Sequence, residues 1–201
     1  VYKRQPQVRD VGEAANWRSN PLSSAEALTR VVVKCGCLNP LFEAPWVTTD
    51  IFKMDWLHAA DQGVAADFIG NLFFHFVDQF PGDTKEERYH ALFAQADDYY
   101  EAENVQDRLD CLKPTFVEHK NSGMKLRCSA AKCRKLVPFA FQLAQELCNK
   151  DDPVEEALYW AAFHLNECYK ALSASMPPAA CTAALKQHST KFALQYVSLH
   201  D

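Results

Sequence analysis

Three side chains near the middle of the chain have the types and spacing to carry out chemistry: Asp55, His58 and Gln62. They lie at i, i+3 and i+7, so they share one face of a helix, with Asp61 beside them. A carboxylate and an imidazole therefore converge where a strand gives way to a helix N-terminus. A purely local interpretation is also open, in which Asp55 is the N-cap and His58 is a first-turn residue hydrogen-bonded to it.

A short strand and a long helix are predicted to position these residues. Residues 50–54 alternate apolar and polar side chains, which is typical of a strand. Residues 56–80 contain no proline and repeat apolar residues at helical spacing, which predicts a helix that ends at Pro81-Gly82. Its apolar stripe consists of Leu57, Val64, Phe68, Leu72 and Phe76.

The same helix carries a second stripe, of small residues, at positions 59, 63, 66 and 70. Two of these are glycines, Gly63 and Gly70, and each costs roughly 1 kcal/mol against alanine inside a helix. That cost indicates a close approach to another backbone, as when a helix lies flat on a sheet.

Composition limits the class of protein. With 201 residues, of which 48% are hydrophobic and 12% aromatic, the chain suits one globular domain or a large part of one. A formal charge of −5 argues against a protein that coats nucleic acid generally. No apolar run predicts a membrane span, and no basic-then-apolar leader opens the chain. The eight cysteines are scattered through helix-like segments, which is typical of reduced thiols, so we expect an intracellular protein without a membrane partner.

The charges are distributed unevenly. Residues 78–110 carry a local net charge of −7, whereas residues 120–135 carry +6 with no acidic residue. The basic run consists of Lys120, Lys125, Arg127, Lys132, Arg134 and Lys135. Two interpretations are open: these residues contact DNA phosphates, or they form a solvated face that balances the acidic segment.

The rest of the chain predicts helices, so the predicted fold class is mainly α with one or a few short strands. A capping box at Ser23 and Glu26 begins a short helix that ends at Gly36. An interior proline, Pro138, predicts a kink in the helix at 130–149 or two shorter helices. The other predicted helices cover residues 84–102, 104–112, 153–173 and 179 onward. Asp83 is the predicted cap of the helix at 84–102, and Asp152-Pro153 begins the helix at 153–173.

Two smaller features favour structural roles. Cys35 and Cys37 could form half of a zinc knuckle, but no second half follows at an accepted spacing, so we interpret both as structural thiols. His164 and His188 are interpreted as histidines at the edge of the core.

Residues 40–73, PLFEAPWVTTDIFKMDWLHAADQGVAADFIGNLF, resemble the core of cut-and-paste DNA transposases, in particular plant-type CACTA transposases and related elements with an RNase H-like catalytic domain. The matching residues are Leu41-Phe42, Pro45-Trp46 and Asp55-Trp56-Leu57-His58, and the match is sharp only over 41–76. The later run KLRCSAAKCRKLVPF also resembles the helical insertion that such proteins carry before their last catalytic strand and helix.

The resemblance implies divalent-metal chemistry on DNA. Three carboxylates would hold two Mg²⁺ or Mn²⁺ ions about 4 Å apart and activate water or a DNA 3′-hydroxyl. Asp55, or alternatively Asp50, would be one metal ligand, with His58 beside it, and the basic run would contact DNA at the transposon ends in the nucleus. The first Asp and the last Glu have no match here. We therefore expect an interior fragment that does not cleave DNA alone.

The resemblance also implies a domain layout. Residues 1–5 match the translation of a common sequencing adapter and are interpreted as a scar. Residues 6–80 would be a piece of an RNase H-like α/β core, and residues 81–201 a helical insertion domain truncated at its C-terminus. The alternative function is a helical protein-interaction or scaffold module that is transposon-derived but has no catalytic activity. Such a module could act as a homo-oligomer.

Overall fold

The computed structural model describes residues 23–36, 56–119, 123–172 and 177–199. The chain divides into two compact units, Val1–Asp55 and Trp56–Asp201. Nearly all regular structure in the described ranges is helical, which confirms the prediction of a mainly α chain. The predicted strand at 50–54, the adapter-like residues 1–5 and Cys37 lie outside the described ranges.

In the first unit the structure describes one helix, α1, Ser24–Cys35. The Ser23 hydroxyl accepts a hydrogen bond from the Glu26 N–H, and the Glu26 carboxylate accepts one from the Ser23 N–H. At the other end Gly36 has a φ of 78°, and its N–H donates to the Val32 carbonyl. The predicted capping box and glycine stop are both confirmed.

The second unit begins with a continuous helix whose winding changes twice. It is a π-helix over Leu57–Ala65, an α-helix, α2, over Ala66–Phe76, and a 3₁₀ turn over Val77–Gln79. The predicted apolar stripe is buried along α2, but its first two members, Leu57 and Val64, are exposed. The stripe fails there because π winding, with i→i+5 hydrogen bonds, rotates residues away from the face that a 3.6-residue period predicts.

Gly70 confirms the predicted close approach of another backbone. A Cβ at this position would lie 2.6 Å from both the Lys125 Cα and the Leu126 N. The neighbouring segment is anchored by hydrogen bonds from the Leu126 N–H to the Ala66 carbonyl, at 2.8 Å, and from the Asn71 amide to the Met124 carbonyl, at 3.2 Å. The partner is thus residues 124–127, which comprise the end of a two-residue strand, Gly123–Met124, and the non-helical segment that follows it.

The remaining elements are five helices and one small strand pair. They are α3 Lys85–Ala102, α4 Pro114–Val117, β1 Glu118–His119, β2 Gly123–Met124, α5 Ala130–Leu147, α6 Pro153–Ala171 and α7 Pro178–Ser198. The strands β1 and β2 are antiparallel, with Glu118 opposite Met124 and His119 opposite Gly123.

Helix α3 corrects two predictions. Its N-cap is Thr84 and not Asp83, because the Thr84 hydroxyl accepts from the Glu87 N–H and completes a capping box. The helix predicted at 104–112 is absent: Asn104 adopts a φ of 50°, which ends α3. The apolar residues that suggested a further helix there, Val105, Leu109 and Leu112, are each buried from a non-helical chain.

Helices α5 and α6 agree better with prediction. Helix α5 begins at its predicted cap, Ser129, and continues through Pro138 as one helix, so the alternative of two shorter helices is wrong. Helix α6 begins at its predicted cap, Asp152, whose carboxylate accepts from the Val154 and Glu155 N–H groups at 2.8 and 3.2 Å.

A single hydrophobic core joins the helices of the second unit. Residues on both sides of the predicted domain boundary after residue 80 contribute to it, including Phe73 from α2, Tyr89 from α3 and Phe139 from α5. The rings of Phe73 and Phe139 meet edge to face, with centroids 6.1 Å apart. Among the described helices none is both long and apolar enough to cross a membrane.

Candidate functional site around Asp61

The residues that the sequence placed on one helix face have different environments. Asp55 lies outside the described residues, so its predicted role as metal ligand, like that of Asp50, stays a prediction. His58 and Gln62 are exposed on the π-helix, whereas Asp61 is completely buried. The buried carboxylate is therefore the best-defined polar group in this region.

Asp61 joins three helical elements through hydrogen bonds. Its Oδ2 accepts from Arg134 of α5, at 2.6 Å from Nη2 and 3.2 Å from Nε. Its Oδ1 accepts from the Tyr169 hydroxyl of α6 at 2.5 Å. We call Asp61, Arg134 and Tyr169 the Asp61 cluster. Both carboxylate oxygens are occupied, so a buried charge is neutralised and its acceptor capacity is used.

The electrostatics of the Asp61 cluster keep both donors protonated. The hydrogen bond to Asp61 raises the pKa of the Arg134 guanidinium above its ordinary value. Burial, together with the hydrogen bond to Asp61, raises the pKa of the Tyr169 hydroxyl well above its ordinary range. Neither group loses its proton near neutral pH, so the cluster is a fixed anchor and not a proton-transfer site.

The π-helix sets the position of Asp61. A π turn is wider than an α turn, and such turns recur at functional sites. Gly63 fits this winding because a Cβ there would lie 3.0 Å from the His58 carbonyl oxygen. The ring of Trp56, at the start of the helix, packs edge-on against Tyr169 at 6.0 Å between centroids. The Asp61 cluster thus fixes the helix start that follows Asp55 directly.

The structure divides the basic run of residues 120–135. Lys120 lies outside the described residues. Lys125 lies 3.1 Å from Asp67, Lys132 lies 2.8 Å from Asp110, and Arg134 belongs to the Asp61 cluster. Among the cations of the run that the structure describes, only Lys132 pairs with the acidic segment 78–110, where its ammonium lowers the pKa of the Asp110 carboxyl.

The two other cations of the run, Arg127 and Lys135, are exposed and have no acidic partner within ion-pair distance in the described part of the chain. Arg127 and Lys132 line one open cavity of about 240 Å³. Lys135 follows Lys132 by three residues on α5, so the two are neighbours on the helix surface. We call Arg127, Lys132 and Lys135 the basic patch.

Sequence reasoning did not find the partners of Asp61. Tyr169 is 108 residues away in the chain, and a tyrosine within an apolar helical pattern carries no signal of its partner. The basic run itself concealed the role of Arg134, because a guanidinium that neutralises a buried carboxylate looks, in sequence, like its exposed neighbours.

The two histidines interpreted as core-edge residues contact each other. His164 is nearly buried, His188 is half-buried, and their Nδ1 atoms lie 3.0 Å apart between α6 and α7. Burial, followed by the nearby His188 and Lys191, lowers the pKa of His164 to about 4. The His164 imidazole is therefore neutral at physiological pH, which fits a structural role at the contact between α6 and α7.

Comparisons with protein-family models, with curated proteins and with solved structures gave no match. In the described ranges no group of three or more His, Cys, Asp or Glu side chains is placed to hold a metal ion. Asp61 does not fit a metal ligand either, since Arg134 and Tyr169 occupy both of its oxygens.

Proposed function

We propose that this chain is part of a DNA transposase, in which the unit Trp56–Asp201 is a helical scaffold beside the catalytic centre and not the centre itself. The observation that supports the proposal is the Asp61 cluster. It fixes the start of the helix immediately after Asp55, the residue that carries the resemblance to CACTA-type transposases. Under this proposal the complete protein acts in the nucleus on the DNA ends of a transposon.

The divalent metal belongs to this proposal only through Asp55 and carboxylates contributed from other segments. The described residues offer no metal site, and we derive no catalytic step through Mg²⁺ or Mn²⁺. His58 is exposed near the start of the π-helix, three residues after Asp55 in the sequence. The scaffold role predicts an inactive chain when it is tested alone for DNA cleavage.

The catalytic part of the proposal can be tested on the source transcript. The residues encoded on both sides of this chain should include an upstream strand that ends in Asp and a downstream helix that bears Glu, since two-metal chemistry needs carboxylates from separate elements. A transcript that encodes neither carboxylate would contradict the transposase proposal and leave Asp55 as a helix cap.

The basic patch is the proposed DNA contact of this unit. Its members are exposed or half-exposed and adjacent, and the acidic partner of Lys132 is itself a highly exposed side chain that a phosphate can displace. Binding to phosphates releases counterions, so the affinity should fall steeply with salt concentration. Arg134 is excluded from the patch because its guanidinium is held by Asp61.

Fluorescence anisotropy with a labelled DNA duplex tests the basic patch. The triple variant Arg127→Gln, Lys132→Gln, Lys135→Gln should bind more weakly, and the slope of log K against log salt should fall by about one for each lost phosphate contact. The control variant Arg30→Gln, Lys34→Gln, Lys186→Gln removes the same charge elsewhere. Equal slopes in the two variants would contradict a specific role for the patch.

One observation favours the second candidate function, a helical module that binds a second copy of this chain. Trp160 of α6 is 39% exposed and Leu194 of α7 is 50% exposed. Both line an open cavity of 590 Å³ between these helices. Large apolar side chains that share an exposed surface are typical of interaction sites.

Sedimentation equilibrium separates this candidate from the first. A self-associating module should show a dimer mass that returns to the monomer mass in the double variant Trp160→Ser, Leu194→Ser. The control Val33→Ser removes an apolar side chain that is 81% exposed in the first unit and should leave the mass unchanged. A monomer at all concentrations would contradict this candidate.

A further inference from the structure

Two thiols meet at the N-terminus of α5. Cys128 directly precedes the N-cap Ser129, and Cys133 is the residue whose N–H makes the first bond to the Ser129 carbonyl, at 2.9 Å. With Ser129 as the N-cap, Cys128 and Cys133 occupy the N′ and N4 positions of α5, whose side chains pack against each other across the first turn, and the Cys133 S–H interacts with the Cys128 sulfur. Neither cysteine is in a disulfide.

The two thiols differ in access to solvent. Cys133 is completely buried against the core, whereas Cys128 is partly exposed and lines the 240 Å³ cavity. Arg127 and Lys132 line the same cavity, together with the carboxylate of Asp110, so Cys128 shares the cavity with two cations and one anion. Cys128 is therefore accessible to a small oxidant in solution, whereas Cys133 is shielded from solvent.

The surroundings favour the thiolate of Cys128. The hydrogen bond from Cys133 and the charge of Lys132 lower the pKa of Cys128 below its ordinary value, against the opposing effect of burial. The same hydrogen bond, together with burial, raises the pKa of Cys133. The thiolate is the nucleophilic form of cysteine, and reactive cysteines lie in electropositive, partly exposed places. Cys128 is therefore the nucleophile of this pair, and Cys133 is the thiol that can react with its oxidised form.

We propose that Cys128 and Cys133 are a redox pair, in which a hydroperoxide oxidises Cys128 and Cys133 converts the product to a disulfide. In the first step the Cys128 thiol loses its proton to solvent, the thiolate attacks a peroxide oxygen, and the O–O bond breaks, which gives a sulfenic acid and a hydroxide that takes up a proton from solvent and leaves as water. In the second step the Cys133 sulfur attacks the sulfenic sulfur, the S–O bond breaks, and the Cys133 proton leaves with the hydroxyl as water. Two thiols are oxidised and one hydrogen peroxide is reduced to two waters.

This inference is independent of the proposed function, because it requires only the two thiols and an oxidant. It also assigns a distinct role to a part of the basic run that lies on the same helix as Arg134. Lys132 acts on the Cys128 sulfur through its charge, whether or not it also contacts DNA.

Mass spectrometry after oxidation of the whole chain by hydrogen peroxide tests the proposal. Trypsin cleaves after Lys132, which lies between the two cysteines, so a disulfide links peptide 128–132 to peptide 133–134. We expect this linked pair as the main oxidation product, and its loss on reduction. In the variant Cys133→Ser the sulfenic acid of Cys128 should persist and react with dimedone.

The variant Cys111→Ser is the matched control, because Cys111 lines the same cavity as Cys128. It should form the linked peptides as the parent chain does, while Cys128→Ser should form none and should leave Cys133 unmodified. Cys128 should also react with iodoacetamide several times faster than Cys111 at slightly acidic pH. Linked peptides that contain Cys111, or equal alkylation rates for Cys111 and Cys128, would overturn the proposal.

Discussion

Arg134 and Lys132 lie two residues apart on α5, are 50% and 32% exposed, and each binds one aspartate, but the two aspartates have opposite surroundings. The Arg134 nitrogen is 2.6 Å from Asp61, whose side chain is 0% exposed, and the Lys132 nitrogen is 2.8 Å from Asp110, whose side chain is 89% exposed. The distances are nearly equal, so distance does not distinguish the two ion pairs. Burial does, because a buried charge without its partner is costly and a solvated one is not.

This difference divides the basic run into cations that hold the fold and cations that remain available at the surface. Arg134 belongs to the first group. Lys132, with Arg127 and Lys135, belongs to the second, which is the group that the proposed DNA contact and the Cys128 thiolate both use. A net charge counted along the sequence combines the two groups.

The largest expected effect is that of Arg134→Gln, which leaves the Asp61 carboxylate buried beside Tyr169 alone. Because the Arg134 side chain is 50% exposed, solvent screens part of the effect, and we expect a loss of about 2–4 kcal/mol in the free energy of unfolding, below that of a fully buried pair. Urea denaturation followed by circular dichroism measures it. Lys135→Gln, on the next residue of the same helix, should change nothing measurable, and a similar loss in both variants would show that the division is wrong.

Gly70→Ala tests how residues 124–127 are held against α2. A Cβ there would meet backbone atoms at 2.6 Å, which side-chain rotation cannot relieve, so we expect a loss of about 2–3 kcal/mol. Gly63→Ala is the comparison, because its Cβ would meet one carbonyl oxygen at 3.0 Å and alanine is the better helix former. A smaller loss for Gly70→Ala than for Gly63→Ala would contradict the described packing.

His164 provides a buried polar contact that titrates, unlike the Asp61 cluster. Its pKa of about 4 in the folded chain lies below the ordinary histidine value of 6.5, so the unfolded chain binds the proton first as the pH falls. Its contribution is complete above about pH 6.5 and is lost as the pH falls toward 4. The facing groups are His188, Lys191 and Glu167.

Urea midpoints between pH 7 and pH 5 measure this effect. After allowance for solvent screening we expect the parent chain to lose about 1 kcal/mol over this range. The variant His164→Asn should show a flatter pH dependence, whatever its stability at pH 7. An equally steep dependence in the variant would assign the loss to other groups.

Lys132→Ala should have the smallest effect on stability. Its partner Asp110 is solvated, so the loss of the ion pair should leave the urea midpoint unchanged within experimental error. The same variant should nevertheless slow the alkylation of Cys128, because Lys132 is one of the groups that lower the pKa of that thiol. A clear loss of stability would place Lys132 with the structural cations.

The sequence predicted best where a signal is local. The caps at Ser23, Ser129 and Asp152 and the stop at Gly36 were correct, because each depends on hydrogen bonds within one turn. Prediction failed where contacts with residues distant in the sequence decide the local structure. The residues at 104–112 have helical spacing but are buried singly from a loop, and the apolar stripe beginning at Leu57 lost its register in the π-helix.

The candidate site was predicted in part. Asp61 was placed beside the Asp55, His58 and Gln62 face, but its burial depends on Arg134 and Tyr169, which come from two later helices. The close approach at Gly70 was predictable from the cost of glycine in a helix. The identity of the approaching segment was not, since nothing in the spacing of the small residues names a partner.

A double-mutant cycle on the free energy of unfolding tests the central claim most directly. In an Asp61→Asn background a neutral amide replaces the carboxylate, so Arg134→Gln should cost less than about 1 kcal/mol instead of about 2–4 kcal/mol. That result would show that Arg134 stabilises the fold by neutralising the buried Asp61. An equal cost in both backgrounds would contradict the claim and show that Arg134 stabilises the fold independently of Asp61.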